Sequence, residues 1–327
     1  MPNTFPGELK IFATGNGKVL TEKICGILLM EPGRALVDRF SDGEVRIEIE
    51  EDVRGKDCVI VGPTNPPAEN FFEMMLLSRA LKSSSAGRIT LAPTYLGYSR
   101  QDRKDKPRVP ISATIINGML ATCTSADRIL LLDVHSEATL GVFDHCGIKV
   151  DHLYASVVSI PYLKTILTEN FVFASPDKNG GARARAYAKR LGQEGYILFD
   201  KARTGPGRID VKTIMIIGDI RGKDVLFIDD MIDTGGTIIA DAKAGRQAGA
   251  NRIIIFATHA LLSQGAIGRL EESEVDEAIF TDTIYHPPEE LKTARLKITT
   301  ISVSNLLASA IKNIHEERSV SSLIISS

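Results

Sequence analysis

Several things are scarce in this 327-residue chain, and each absence narrows the field. There are only four cysteines, Cys25, Cys58, Cys123 and Cys146, scattered without a CxxC or any paired spacing. That excludes a thiolate metal centre or a disulfide framework and leaves reduced thiols in a cytosolic protein. Net charge is only −2, so a nucleic-acid binder driven by bulk phosphate attraction is not expected. No apolar run approaches the roughly 18 residues that a membrane span needs. The opening "MPNTFPGELK" has no basic-then-apolar leader pattern. A cytoplasmic protein that binds neither membrane nor nucleic acid is the expectation.

What is present is a globular balance, 43% hydrophobic and 24% charged, at a length that favours two domains. Short β-branched runs alternate with helical patterns throughout. Strands are expected at 9–14, 58–63, 88–96 and 128–135, then at 171–177, 196–201, 213–219, 224–230, 252–261, 278–283 and 297–303. Leu20, Ile24, Ile27 and Leu28 share one helical face, and "ENFFEMMLLSRALK" and "TIIADAKAGRQAG" also read as helices. Such alternation, with nearly continuous apolar strands, means parallel sheets covered on both faces. "EVRIEIEEDV" instead alternates strictly, as an exposed antiparallel ribbon does.

An internal repeat organises these elements. "VRGKDCVIVG" (53–62) recurs as "IRGKDVLFID" (220–229), and "AGRITLAPTYL" (86–96) recurs as "GANRIIIFATHAL" (249–261). "IFATGN" and "VFASPD" open the two copies. The chain therefore reads as a duplicated α/β domain. Residues 1–153, joined by a C-terminal helix and tail at 304–327, form one copy, and residues 154–303 form the other.

The two copies differ where it matters most. "VLFIDDMIDTGGT" (225–237) carries Asp229, Asp230 and Asp233, and the repeat sets these opposite Gly62, Pro63 and Pro66. The same strand end is thus made once without a carboxylate, so the fold does not require the acids. In open parallel sheets ligands bind beyond the carboxyl ends of the strands. Thr234, Gly235, Gly236 and Thr237 lead into a helix whose first N–H groups and hydroxyls suit a phosphate. Adjacent carboxylates suit Mg²⁺ or sugar hydroxyls. The plain alternative is a solvated acidic turn with a capping threonine, which the apolar strand before it and the glycines after it disfavour. The spacing is not that of an EF-hand loop, and "GNGKV" (15–19) is not a Walker motif.

"FIDDMIDTGGT" resembles the phosphoribosyl diphosphate-binding motif shared by type I phosphoribosyltransferases and ribose-phosphate diphosphokinases. "RFSDGE" (39–44), "GYSRQDRKDKPRVPIS" (97–112), "LLDVHSE" (131–137), "SPDKNGGARARAYAKRLG" (175–192) and "ERSVSSLI" (317–324) resemble the diphosphokinases. The resemblance runs in order along essentially the whole chain, whereas the transferases carry a single such domain. It implies two duplicated phosphoribosyltransferase-type domains, each a mostly parallel sheet with helices on both faces.

The same resemblance implies roles for particular residues. Phe40, Asp42 and Glu44 would read adenine, and Arg100, Gln101 and Asp105 would help hold ATP. By composition alone, "SRQDRKDKPR" fits a solvated charged loop as well as a polyphosphate site. His135 and Asp177 would serve the Mg²⁺–ATP site, although a lone histidine is more often a capping or core residue. Asp229 and Asp230 would hold metal and ribose hydroxyls, and Asp233 with residues 234–237 would bind ribose 5-phosphate. Lys201 and Arg203 read as ordinary surface cations without context; in the family a pair so spaced sits on a mobile loop over the reacting phosphates. The family builds its ATP pocket across a subunit interface, which implies a homo-oligomer.

The implied reaction joins ATP and ribose 5-phosphate into AMP and 5-phospho-α-ribose 1-diphosphate. A catalytically silent regulatory homologue is disfavoured because none of these acids or cations is missing. A phosphoribosyltransferase is disfavoured by the duplication. One departure stands out. "HSEATLGVF" (135–143) replaces the usual "HASQIQGFF", setting Glu137 where the family has serine, in a region that binds phosphate and ADP effectors. Arg54, Arg108, Ser319 and Ser321, of the same region, remain. Weakened phosphate activation and ADP inhibition are expected, through repulsion between anions.

Overall fold

A computed structural model describes residues 5–201 and 214–324. The chain divides into two compact units, one running to Tyr154 and adding Thr283–Tyr285 and the segment from Val303, the other comprising Ala155–Asp282 and His286–Ser302.

The first unit is built on β1 (Leu9–Ala13), β4 (Asp57–Gly62), β5 (Arg88–Pro93), β6 (Arg128–Leu132) and β7 (Lys149–Leu153), side by side in that order and all parallel. Every residue of β4 is buried, as expected for a strand covered on both faces. Helices α1 (Lys18–Leu28), α2 (Glu69–Ser83), α3 (Ser112–Cys123) and α4 (Gly141–His145) lie between the strands in sequence. Phe12, Ile60, Met74, Leu77, Leu91 and Phe143 are among the fully buried side chains of its core. The ribbon expected around "EVRIEIEEDV" is β3 (Val45–Ile49), paired antiparallel with β2 (Ala35–Arg39) in a separate two-stranded sheet.

Two local expectations change. The buried face of α1 is Leu20, Thr21, Ile24 and Cys25, while Ile27 is exposed, because the helix ends at Leu28 and turns out through Leu29 in the left-handed region. β7 is not marked by any apolar run: it is the sheet edge, where Asp151 pairs with Arg128.

The second unit holds β8 (Phe171–Ser175), β11 (Asp224–Ile232), β12 (Arg252–Ala260), β13 (Glu277–Thr281) and β14 (Lys297–Ile301) in the same order, again all parallel. β9 (Ile197–Lys201) extends this sheet beyond β8, and β10 (Ile214–Ile217) pairs antiparallel with β9. Helices α5 (Ser156–Ile166), α6 (Gly181–Arg190), α7 (Gly236–Gln247) and α8 (Ala266–Glu271) complete it. Phe199, Phe227, Ile253, Ile255 and Phe280 lie in its core.

The strand registers repeat as the sequence does. Asp57 of β4 stands opposite Arg88, and Asp224 of β11 stands opposite Arg252. After β14, α9 (Ser304–His315) packs against α1 of the first unit, burying Leu306, Leu307, Ile311 and Ile314. His315 Nδ1 lies 2.8 Å from Oδ2 of buried Asp57, the carboxylate that Arg88 also grips at 2.5 Å. Arg88 compensates the buried carboxylate within the sheet, and the His315 contact adds a tie from α9 to the start of β4. Among the described residues no helix is long and apolar enough to cross a membrane.

Candidate active site

β11 is the longest strand of the second unit's sheet together with β12, and its apolar start explains its depth: Val225 to Ile228 are all essentially unexposed. The strand runs on past the expected end at 230 to Ile232, so Asp229 and Asp230 project from within its last residues. Asp229 is 25% exposed and Asp230 only 7%. The backbone N–H of Asp230 donates to Asp229 Oδ1 at 2.9 Å. Burial first, and then the neighbouring Asp230, holds the Asp229 carboxyl well above the usual carboxylate range, while Arg183 opposes the rise.

The relief that the stretch lacks in sequence comes from α6. Arg183 Nη1 donates to Asp230 Oδ1 at 3.2 Å and lies 3.9 Å from Asp229 Oδ1. Arg183 belongs to the run "ARARAYAKR", where nothing in the spacing separates it from Arg185 or Arg190.

Beyond β11 the chain turns through Asp233 and Thr234 into α7, which begins at Gly236. Gly235, at φ 76°, occupies the left-handed region that a side chain rarely adopts, and as the N-cap residue of α7 it brings no side chain to cap the first turn. Its amide groups thus keep their capacity for an anion. Two residues from the segment after β12 fix the turn. Ser263 Oγ donates to Asp233 Oδ1, and Arg269 Nη2 donates to the Thr234 carbonyl at 2.6 Å. Neither was legible as a site residue. Thr237 is half-buried and Gly236 exposed.

Asp177 follows β8, and its Oδ1 accepts from the Gly180 N–H at 2.8 Å, which shapes the entry to α6. Lys201 ends β9 with its ammonium 2.5 Å from Asp241 Oδ2 of α7. Arg203 lies outside the described residues.

The remaining candidates stand on the first unit. Phe40, Asp42 and Glu44 form the tip of the β2–β3 ribbon, where the Glu44 N–H donates to Asp42 Oδ1 at 3.0 Å. Phe40 is 52% exposed, and its ring lies under the Arg46 guanidinium at 5.9 Å. Arg39, at the base of the tip, donates to Glu73 Oε1 at 2.6 Å, and Glu73 is almost fully buried. The nucleotide-loop candidates Arg100 and Asp105 are exposed; Gln101 is half-buried and accepts from Ser112 Oγ at 2.5 Å. His135 is exposed in the bend after β6.

Glu137 opens the short turn that follows. Its Oε1 accepts from Tyr154 Oη at 2.7 Å and lies 3.3 Å from His152 Nδ1. His152 Nε2 accepts from the Val134 N–H, so Nδ1 carries the proton directed at Glu137. Arg54, Arg108, Ser319 and Ser321 are all exposed, with Arg108 at φ 64°.

No group of three or more His, Cys, Asp or Glu side chains among the described residues forms a ready-made metal cage. The proximity of Asp229 and Asp230, with the former resisting ionisation, is the arrangement a divalent cation would relieve.

Known proteins resemble this chain along its whole length. Residues 9–123 match the N-terminal domain of ribose phosphate pyrophosphokinase, and residues 207–325 match the phosphoribosyl synthetase-associated domain. A ribose-phosphate pyrophosphokinase from Chlorobaculum tepidum is 43% identical over 317 residues, 96% of this chain and 94% of that protein. One from Thermotoga maritima is 41% identical over 326 residues, 98% of this chain and 99% of its own. The crystal structure of phosphoribosylpyrophosphate synthetase from Mycobacterium smegmatis superposes with a TM-score of 0.86 at 32% identity, covering 95% of this chain and 99% of the other. On the strength of these full-length matches, the chain belongs to the ribose-phosphate pyrophosphokinase family.

Proposed function

We propose that this chain is an active ribose-phosphate diphosphokinase, converting ATP and ribose 5-phosphate to AMP and 5-phospho-α-ribose 1-diphosphate. The observation that carries this reading is the acidic end of β11 beside the uncapped first turn of α7, in a chain 43% identical along its length to a protein of that name. In the transfer, the anomeric oxygen bonds to the β-phosphorus while the bond from that phosphorus to the oxygen bridging the α-phosphate breaks. AMP keeps the bridging oxygen, and the anomeric hydroxyl gives up its proton. Chemistry of this kind asks the protein for in-line positioning and charge stabilisation above all.

On the second unit, Thr234, Gly235, Gly236 and Thr237 bind the 5-phosphate, with Asp233 shaping the turn. Asp229 and Asp230 orient the ribose hydroxyls and hold Mg²⁺, which when bound neutralises the diphosphate oxygens. Asp177 serves the metal–nucleotide on this unit and His135 does so on the first. Phe40 stacks on adenine while Asp42 and Glu44 accept from it, and Arg100, Gln101 and Asp105 secure the phosphates. Lys201 and Arg203 neutralise charge growing toward AMP. The enzyme acts as a homo-oligomer in the cytoplasm. Its phosphate and ADP responses, carried by Arg54, Arg108, Ser319 and Ser321, are weakened by Glu137, whose carboxylate is already engaged by Tyr154 and His152.

The test is formation of AMP from ATP with Mg²⁺, with and without ribose 5-phosphate. AMP that appears only when the sugar phosphate is present supports the reading. A nucleobase-consuming activity without ATP, or no turnover at all, would count against it.

A further inference from the structure

Lys201 is committed to a contact that the transfer does not call for. Its side chain is only 6% exposed, and Asp241, 2.5 Å away, is not exposed at all. Asp241 lies on α7, the helix that follows the Thr-Gly-Gly-Thr turn, and its Oδ1 accepts no hydrogen bond among the described residues. Burial pushes the Asp241 carboxyl up to about 7 against the pull of Lys201, with Asp177 adding to the rise. A half-satisfied carboxylate in a dry place is costly, and the Lys201 ammonium in contact with it offsets that cost. An ammonium in contact with a carboxylate also presents phosphates with a dipole rather than a full charge.

We propose that Asp241 is a positioning residue for the diphosphoryl transfer: it holds the Lys201 ammonium in the substrate-free enzyme, and nucleotide binding must part the pair before Lys201 meets a phosphate oxygen. The proposal rests on the reading of Lys201 as a cation for the reacting phosphates. Free energy spent on parting the pair is lost equally from the substrate complex and the transition state. It therefore raises KM for ATP and leaves kcat nearly untouched.

The experiment uses the full chain with ATP, Mg²⁺ and ribose 5-phosphate. Lys201→Met tests the parent reading: kcat falls at least about 100-fold if Lys201 acts on the phosphates, and an unchanged kcat removes that role whatever Asp241 does. Asp241→Asn tests the proposal: KM for ATP falls about tenfold, with kcat and KM for ribose 5-phosphate changed much less. A KM for ATP that stays the same or rises overturns it, because a merely structural partner would lower stability without this split. A second measurement needs no variant. Amine acylation of the substrate-free wild type, read by peptide mass, should modify Lys201 far more slowly than Lys178, whose side chain is 70% exposed. Equal rates overturn the proposal even if Asp241→Asn does not fold.

Discussion

β4 and β11 hold the same place in two sheets of the same order, each flanked by parallel neighbours and each with an aspartate at its start facing an arginine across the ladder. They leave their sheets differently. β4 ends at Gly62 and passes into Pro63 and Thr64, all buried, with no carboxylate among them. β11 carries Asp229 and Asp230 within its last residues and passes through Asp233 into the uncapped start of α7. One frame therefore tolerates both endings, and the acidic one is electrostatically the poorer for folding, since Asp229 is held above its ordinary range by burial and by Asp230. Groups retained against stability in this way are expected at sites of function. A second contrast accompanies the first. In one unit the extra hairpin stands apart as β2–β3, with Phe40 exposed at its tip; in the other, β9 and β10 join the main sheet.

The largest effect is expected at the acids of β11. Replacing both Asp229 and Asp230 by asparagine should lower kcat/KM for ribose 5-phosphate by about 10³-fold or more, as loss of pre-organised charge in an active site does. Steady-state assay at saturating ATP measures it; a loss below tenfold would make the acids ornamental. Phe40→Ala should raise KM for ATP about tenfold by removing a stacking face, leaving KM for ribose 5-phosphate alone. Equal changes in both constants would dissolve the division of labour between the ribbon tip and the β11 turn. Arg269→Ala removes the hydrogen bond that fixes the Thr234 carbonyl. One such exposed bond is worth about 0.5–1.5 kcal/mol net, so KM for ribose 5-phosphate should rise roughly tenfold or less. Glu137→Ser should give the smallest effect, a few-fold stronger activation by phosphate, read as rate against phosphate concentration. No change there would separate Glu137 from the effector response.

Much of this was legible in the sequence because the relevant signals are local or repeated. The apolar run before Asp229, the glycines after it and the two recurring "RGKD" segments fix β11, α7 and the duplicated sheet without reference to anything distant. β7 was illegible because edge strands need not be apolar, and Lys149, Asp151 and His152 mask it. Arg183 and Arg269 were illegible for another reason: each acts through a partner 35 or more residues away, and neither stands out from its basic or polar neighbours. Asp241 is the clearest case. In "TIIADAKAG" it reads as a solvated helix residue, yet it is wholly buried because Lys201 at the end of β9 reaches it. Pairings of that kind depend on which strand adds to the sheet edge, and no period in the sequence encodes that.

The central claim is that the carboxylates of β11 serve a ligand and not the fold. Its most direct test is the ligand-free melting temperature of the Asp229→Asn, Asp230→Asn variant, measured beside its calorimetric binding of ribose 5-phosphate with Mg²⁺. Asparagine keeps the bond that the Asp230 N–H makes to residue 229 and removes the repulsion. The expected result is a melting temperature equal to or above that of the wild type, with binding of the sugar phosphate abolished. A variant that melts well below the wild type, or that still binds ribose 5-phosphate as tightly, would contradict it.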